Sequence, residues 1–176
     1  MVSAIIVAGG KGTRMGAGKN KVFLPLLGKE IISRTIAVFE SSSLVDEIII
    51  VTASDDIPKM REIIWRDGYK KVARIAEGGA ERSDSVYNGL MLATGDISLI
   101  HDGARPFVSQ EVIENCIRSV QENGSGICAV PVTDTIAVVE DNLIVDVPNR
   151  KTLYRLQTPQ GFYLKDIEYA YARASK

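Results

Sequence analysis

Four cationic side chains lie close together in a glycine-rich stretch near the start of the chain. No Asp or Glu precedes Glu30, although the 176 residues carry a formal net charge of −1. Exposed backbone N–H groups at glycines, with Lys and Arg beside them, form a favourable environment for phosphate oxygens. The stretch VAGGKGTRMGAGKNK therefore predicts a site for a small anionic ligand, and its cations are Lys11, Arg14, Lys19 and Lys21.

This loop does not match the two common phosphate-binding fingerprints. A dinucleotide pattern GxGxxG that uses Gly10 and Gly12 needs a third glycine where Met15 stands, and GxxxxGK[ST] does not occur. Hydride transfer and P-loop ATPase chemistry are therefore disfavoured. A plain strand-to-helix turn with solvated lysines is the alternative interpretation, but the cluster of cations without an acid favours the phosphate site.

A second glycine pair occurs in EGGAERSDS, residues 77–85. Gly78 and Gly79 would let a planar base lie close to the backbone, because glycine permits close approach. Arg82 and Ser85 follow near a predicted helix start. A turn before a capped helix is the alternative, but it gives the glycine pair no role, so we interpret this stretch as a base-reading loop.

A third loop, HDGARP, places Asp102 and Gly103 directly after an apolar run. Because Mg²⁺ binds through one or two carboxylates together with substrate phosphates, Asp102 is the metal candidate. His101 is the one histidine of the chain, and we expect it to be a structural, hydrogen-bonded core residue.

The sequence contains no Ser-His-Asp set, no environment for a catalytic cysteine and no Cys/His cluster with zinc spacing. Chemistry based on Arg, Lys, backbone amides and Mg²⁺ suits a nucleophile that needs no activation. A phosphate oxygen that attacks a nucleotide α-phosphorus is such a nucleophile, and positioning with charge neutralisation carries transfers of this type.

Apolar strand-like runs alternate with segments of helical spacing. This alternation predicts an α/β fold with a doubly wound, mostly parallel sheet, whose carboxyl edge would bring the three loops together on one rim. The expected strands are 2–8, 46–52, 71–77, 96–102 and 126–132, and the expected helices are 31–42, 55–68, 83–94 and 109–123.

The alternation stops after Val132. The segment TDTIAVVEDNLIVDVPNRKTLY has two short apolar stretches around a turn-like EDN, which predicts a protruding β-hairpin arm at about 133–157. A two-stranded ribbon is marginal alone in water. We therefore expect a homodimer that embraces through this arm.

Composition restricts the class of protein. The net charge of −1 argues against a nucleic-acid partner. The longest apolar runs are too short for a membrane span, and the start lacks the features of a signal peptide, so we expect a cytoplasmic protein without a membrane partner. We expect one domain over residues 1–176, with Cys116 and Cys128 as reduced core residues.

Six ordered blocks run through the chain: AGGKGTRMG, NKVFLPL, GGAERSDSVYNGL, IHDGARP, VPVTDT and LQTPQGF. Together they resemble the 2-C-methyl-D-erythritol 4-phosphate cytidylyltransferase family over essentially the whole chain. The resemblance implies a Rossmann-like nucleotidyltransferase of isoprenoid precursor synthesis. Such an enzyme transfers the cytidylyl group of CTP to 2-C-methyl-D-erythritol 4-phosphate, a polyol phosphate. The products are a CDP-alcohol and pyrophosphate, and the reaction depends on Mg²⁺.

The resemblance also implies roles for individual residues. Arg14 and Lys21 would stabilise the pentacoordinate phosphorus, and Asp102 with Gly103 would face the ribose and the metal. The residues that would line the nucleotide are Ala8, Gly9, Gly10 and Gly12 on the triphosphate and base side, and Gly79, Ala80 and Ser85 at the cytosine.

On the acceptor side, the family's arm crosses to the neighbouring subunit, so Thr135 and Arg150 would hold the sugar phosphate in the partner's site. The family usually has a lysine where Ala137 stands and an acid where Asn149 stands. Related enzymes that use ribitol 5-phosphate share the cytidine half, and DVPNR is similar to them. Ribitol 5-phosphate is therefore the alternative acceptor.

The family continues beyond the position of Lys176 with an acidic TDD-type stretch and a final strand that carries a substrate-binding lysine. Neither occurs within the 176 residues. A second alternative is therefore a CTP-binding module without turnover.

Overall fold

Strands and helices alternate through the described part of the chain. The structure is a computed structural model and describes residues 1–9 and 20–174. Its strands are β1 (Val2–Val7), β2 (Pro25–Leu26), β3 (Lys29–Glu30), β4 (Glu47–Thr52), β5 (Val72–Glu77), β6 (Ile97–Asp102), β7 (Ser125–Pro131), β8 (Val138–Glu140), β9 (Leu143–Asp146) and β10 (Tyr154–Tyr163). Its helices are α1 (Ile31–Ser41), α2 (Ile57–Asp67), α3 (Arg82–Leu90), α4 (Gln110–Asn123) and α5 (Leu164–Ala174).

The main sheet has six strands within these residues, in the spatial order β5-β4-β1-β6-β10-β7. β1 pairs in parallel with β4 and with β6, and β4 pairs in parallel with β5. β10 pairs antiparallel with both β6 and β7. The predicted α/β fold with a mostly parallel, doubly wound sheet is therefore confirmed.

Helices cover both faces of the sheet. α1, α2 and α4 share one apolar core, which includes Phe39, Met60 and Ile117, whereas α3 and α5 pack on the other face around Leu90 and Ile167. Every residue of β4 is buried, as expected for a central strand that is covered on both faces. No helix within residues 1–9 and 20–174 is long and apolar enough to cross a membrane.

A β-hairpin lies between β7 and β10, where the sequence predicted one. β8 and β9 pair antiparallel, and their turn residues Asp141 and Asn142 have φ of 49° and 64°, the left-handed values that a tight two-residue hairpin requires. All residues of both strands are exposed. We call residues 132–153 the arm; the predicted range of 133–157 extends too far, because β10 already begins at Tyr154.

The sequence analysis did not predict β10 and α5. The first three residues of β10 are exposed and the strand contains Pro159, which argues against a central strand because proline has no N–H to donate. The structure tolerates Pro159 because pairing with β6 stops at Gln160 and the register with β7 shifts between Leu156 and Gln160. α5 then begins directly at Leu164, with no turn residue to mark its start.

A hydrogen-bonded cluster ties α1 to the end of α2. Ser33 Oγ donates to Asp67 Oδ2 at 2.5 Å, and Tyr69 OH donates to the Ser33 carbonyl at 2.6 Å. Arg66 bridges Asp67 at 3.1 Å and Glu30 at 2.7 Å. Hydrogen bonds from Arg66 and Ser33 outweigh the effect of burial and hold the pKa of Asp67 well below its usual value.

Replacing Asp67 by Asn should lower the free energy of unfolding at pH 7 by about 1 to 3 kcal/mol, because hydrogen bonds to a buried charge are lost. The folded-state pKa lies below the unfolded value of about 3.9, so this stabilisation is present above about pH 4 and declines as the pH falls further. Urea unfolding between pH 7 and pH 3 measures both effects. Glu114→Gln, an exposed carboxylate on α4, is the control, and equal stability of Asp67→Asn and wild type at pH 7 would contradict the prediction.

Candidate active site

The loops after β1, β4, β5 and β6 meet at one edge of the sheet. Gly103, after β6, donates its N–H to the Val7 carbonyl of β1 at 2.8 Å, and Gly78, after β5, donates to the Thr52 carbonyl of β4 at 2.8 Å. The strand order reverses between β1 and β6, and open parallel sheets bind ligands at such a point. We call this edge the rim; it consists of residues 8–9, 53–56, 78–82 and 102–106.

The described part of the first loop is fixed by Asn20. Its side-chain amide donates to the Ala8 carbonyl at 2.6 Å and to Asp56 Oδ2 at 3.0 Å. Lys21 is the next residue and begins a short 3₁₀ helix with an exposed side chain. The structure thus ties the Lys21 segment to the end of β1, next to Gly9. Three other predicted site residues, Gly10, Gly12 and Arg14, lie outside the described residues.

The base-reading candidate loop is fastened by Ser85. The Gly79 N–H donates to Ser85 Oγ at 3.1 Å, and this hydroxyl donates to the Glu81 carbonyl at 3.1 Å. A Cβ on Gly79 would overlap the Cβ of Asp84, so this position requires glycine. Gly79 and Ala80 are exposed, whereas Ser85 is buried. The loop therefore presents bare backbone to solvent on a fixed support.

Asp102 lies between two guanidinium groups that the sequence analysis gave no role. Arg105 Nε donates to Asp102 Oδ2 at 2.9 Å, and Arg82 Nη2 donates to Oδ1 at 3.0 Å. Burial raises the pKa of Asp102, but the hydrogen bonds from Arg105 and Arg82 outweigh it and keep this pKa below its usual value. These three side chains together carry a formal charge of +1, although the rim also contains Asp55, Asp56 and Glu81. The sequence signal that could have identified both arginines is their position in the two glycine loops, EGGAERSDS and HDGARP.

The donor set restricts the kind of metal that fits. Among residues 1–9 and 20–174, no three His, Cys, Asp or Glu side chains converge into a metal-binding group. A carboxylate offers about four lone-pair sites, so Asp102 retains acceptor capacity beyond its two arginines. These residues fit Mg²⁺ held by one carboxylate together with substrate phosphates.

Thr158, on β10, is a rim contact that the sequence analysis missed. Its Oγ accepts the Asp102 N–H at 3.2 Å and lies 3.1 Å from His101 Nδ1. His101 is fully buried with partners at both ring nitrogens, as expected for a structural histidine, and burial lowers its pKa. Thr158 was missed because β10 itself was not predicted.

The acceptor candidates Thr135 and Arg150 lie on the arm. Both are exposed, and Arg150 Nη1 donates to the Thr133 carbonyl at 2.9 Å. Within the described residues of one chain, neither side chain makes a hydrogen bond or an ion pair with the rim. Among the described residues, the structure therefore brings most of the nucleotide candidates to one edge, whereas the acceptor candidates lie on a separate segment. The described nucleotide candidates are Ala8, Gly9, Gly79, Ala80, Ser85, Asp102 and Gly103.

The family model of IspD, described as 2-C-methyl-D-erythritol 4-phosphate cytidylyltransferase, matches residues 2–176. The chain belongs to this family. The resemblance drawn from the six sequence blocks is therefore confirmed, and the rim and arm described above are those of a 2-C-methyl-D-erythritol 4-phosphate cytidylyltransferase family member.

Individual relatives agree with the family model. The 2-C-methyl-D-erythritol 4-phosphate cytidylyltransferase of Clostridium botulinum is 51% identical over 164 residues, which cover 92% of this chain and 73% of the relative. That of Geobacter metallireducens is 47% identical over 167 residues, which cover 92% and 72%. The crystal structure of 4-diphosphocytidyl-2C-methyl-D-erythritol synthase from Anaerococcus prevotii superposes with a TM-score of 0.87 at 29% identity, over 99% of this chain and 76% of that one.

Replacing Ser85 by Ala should loosen the glycine loop of this cytidylyltransferase family member, because the Gly79 N–H loses its acceptor. One hydrogen bond contributes about 1 kcal/mol, so hydrogen exchange at the Gly79 amide should accelerate about 5-fold. NMR-detected exchange measures this directly. Ser119→Ala removes a comparable bond to the Ser125 carbonyl and serves as the control. Unchanged exchange at Gly79 in Ser85→Ala would refute the assignment.

Proposed function

We propose that this chain transfers the cytidylyl group of CTP to 2-C-methyl-D-erythritol 4-phosphate and releases pyrophosphate, a step of isoprenoid precursor synthesis. Family membership over residues 2–176 supports this function. The observation that carries it is the rim, where glycine loops and two guanidiniums converge between β1 and β6. Such an edge suits the phosphates of a nucleotide.

The transfer requires no activated side-chain nucleophile. A phosphate monoester has a second pKa of about 6, so the acceptor oxygen is anionic at neutral pH. This oxygen forms a bond to the α-phosphorus of CTP, while the bond from the α-phosphorus to the oxygen that bridges to the β-phosphate breaks. The electron pair of that bond leaves with pyrophosphate. The protein then contributes positioning and charge stabilisation.

Arg14 and Lys21 are the residues that would stabilise charge on the oxygens around the α-phosphorus. The attachment of Asn20 to Ala8 supports this role for Lys21, because it ties the Lys21 segment to the phosphate loop. The role of Arg14 rests on the sequence. A positioned donor of this kind typically contributes about 3 kcal/mol to transition-state stabilisation.

The nucleotide would lie across the rim. Cytosine would lie against the exposed backbone of Gly79 and Ala80, where Ser85 fixes the Gly79 N–H by a hydrogen bond. Asp102 and Gly103 would face the ribose. The triphosphate would follow the first loop, along Ala8, Gly9, Gly10 and Gly12.

Mg²⁺ is the proposed cofactor, with Asp102 as its protein ligand. When bound, the ion neutralises charge on the triphosphate and polarises its phosphoryl oxygens. Arg105 and Arg82 keep the Asp102 carboxyl ionised at neutral pH, which is the protonation state that a Mg²⁺ ligand needs.

The arm supports a homodimer as the working form. Its largest apolar side chains, Leu143 and Ile144, are 69% and 68% exposed, and an isolated two-stranded ribbon is marginal in water. A second copy would cover these side chains and receive Thr135 and Arg150 as contacts for the acceptor phosphate. The cytoplasmic location remains a prediction.

The purified chain with CTP and Mg²⁺ should release pyrophosphate only after 2-C-methyl-D-erythritol 4-phosphate is added, because the acceptor supplies the nucleophile. An end-point pyrophosphate assay measures this, with ribitol 5-phosphate as the parallel acceptor. Release with ribitol 5-phosphate alone would contradict the acceptor assignment. Calorimetric CTP binding without release with either acceptor would favour the binding module instead.

The double variant Leu143→Ser, Ile144→Ser should be monomeric at micromolar concentration, whereas the wild type should sediment as a dimer. The two serines would bury less apolar surface against the partner than Leu143 and Ile144, so the contact between the copies would be weaker. The variant should still bind CTP but lose turnover, because Thr135 and Arg150 would no longer reach a partner's site. Trp65→Ser, at an indole that is 85% exposed on α2, is the control; a monomeric wild type would overturn the dimer.

A further inference from the structure

The hydrogen bonds around His101 have one consistent set of directions. The Arg105 carbonyl, 3.0 Å from Nε2, can only accept, so Nε2 carries the ring proton. The Asp102 N–H donates to Thr158 Oγ at 3.2 Å. The Thr158 hydroxyl then donates its own proton to the bare Nδ1 of His101, 3.1 Å away. In this arrangement a neutral ring, protonated at Nε2, matches every donor to an acceptor.

This series of bonds begins where backbone pairing between β6 and β10 ends. Toward the carboxyl end of β6, the last backbone pair is Ile100 with Gln160. Pro159, which precedes Gln160 on β10, has no N–H to donate. The last two residues of β6, His101 and Asp102, are therefore held against β10 through the side chain of Thr158. Thr158 is 7% exposed and His101 is 0% exposed, so the bond between these two side chains is shielded from water.

Two of the groups that His101 holds belong to the rim. The Arg105 carbonyl is fixed by the ring, while Arg105 Nε holds the Asp102 carboxylate at 2.9 Å. Asp102 is also held at its N–H, through Thr158. The position of one carboxylate thus depends on the imidazole along two routes. The ring itself packs 4.9 Å from the ring of Phe39, inside the core, and does not reach a substrate.

We infer that His101 is a positioning residue for cytidylyl transfer, whose Nε2-protonated ring fixes Arg105 directly and Asp102 through Thr158. The inference rests on the proposed function, because the kinetic effect requires that Asp102 acts on the nucleotide. It goes beyond a structural histidine, since the loss of these bonds should displace rim groups and not only destabilise the fold. Small displacements of positioned groups reduce rates by about 10- to 100-fold.

The tautomer is directly measurable because the chain contains one histidine. Nitrogen NMR of the tag-free chain, labelled with ¹⁵N-histidine, should show at pH 7 a protonated Nε2 and an unprotonated Nδ1 in a single form. Thr158→Val, which removes the proton donor to Nδ1, should shift the Nδ1 resonance. A proton on Nδ1, or an average of both tautomers, would overturn the inference.

The kinetic test interrupts the route through Thr158 from each of its two ends. His101→Gln keeps an amide N–H as donor for the Arg105 carbonyl but places no acceptor at the position of Nδ1, and Thr158→Val removes the hydroxyl. Both should lower kcat/KM of cytidylyl transfer roughly 10- to 100-fold. Thr158→Ser restores the hydroxyl and should recover most of the wild-type kcat/KM.

Ser98→Ala is the matched control. Ser98 is buried on the same strand and its Oγ donates to the Phe162 carbonyl of β10 at 3.3 Å, away from the rim. It should lower the unfolding midpoint without lowering kcat/KM. Wild-type kcat/KM in Thr158→Val, or an equal loss in Ser98→Ala, would refute the positioning role. If the wild type shows no turnover, the proposed function fails, and the NMR experiment still decides the tautomer.

Discussion

The parallel pairing of β1 with both β4 and β6 is the constraint on which the rim depends. Val7 is in register with Val51 on one side and with Asp102 on the other, so three strands from distant parts of the chain end at the same level. The loops that follow these strands must lie at the same edge of the sheet, because parallel strands run in one direction. The loops crowd closely together here: a Cβ on Gly103 would come within 3.1 Å of the Val7 carbonyl oxygen.

Sequence patterns predicted the parts of the fold that local chemistry determines. The α4 segment began and ended as expected, since Ser109 accepts from the Val112 N–H and Gly124 adopts a φ of 83°. β10 was not predicted because its proline and its three exposed first residues contradict the usual pattern of a central strand. The arginine clamp on Asp102 was also not predicted, because ion pairing depends on how two loops approach in space, and spacing along the chain does not encode that distance.

Besides the backbone hydrogen bonds between its loops, the rim is held by side chains that bind backbone groups. Asn20 holds Ala8, Ser85 holds Gly79 and Thr158 holds the Asp102 N–H. In each case a short polar side chain forms a hydrogen bond with a backbone N–H or carbonyl group near the end of a strand. In the loop at Gly78 and Gly79, this arrangement leaves the exposed backbone free for a ligand, while Ser85 fixes its geometry.

β10 connects the arm to the rim. It starts at Tyr154, where the arm ends, and four residues later it reaches Thr158 and the Asp102 N–H. At about 3.4 Å per residue, this is a path of roughly 14 Å along one strand. The segment proposed to contact a second copy and the segment that holds the Asp102 N–H are therefore parts of one continuous strand, so a displacement of the arm has a covalent path to the rim.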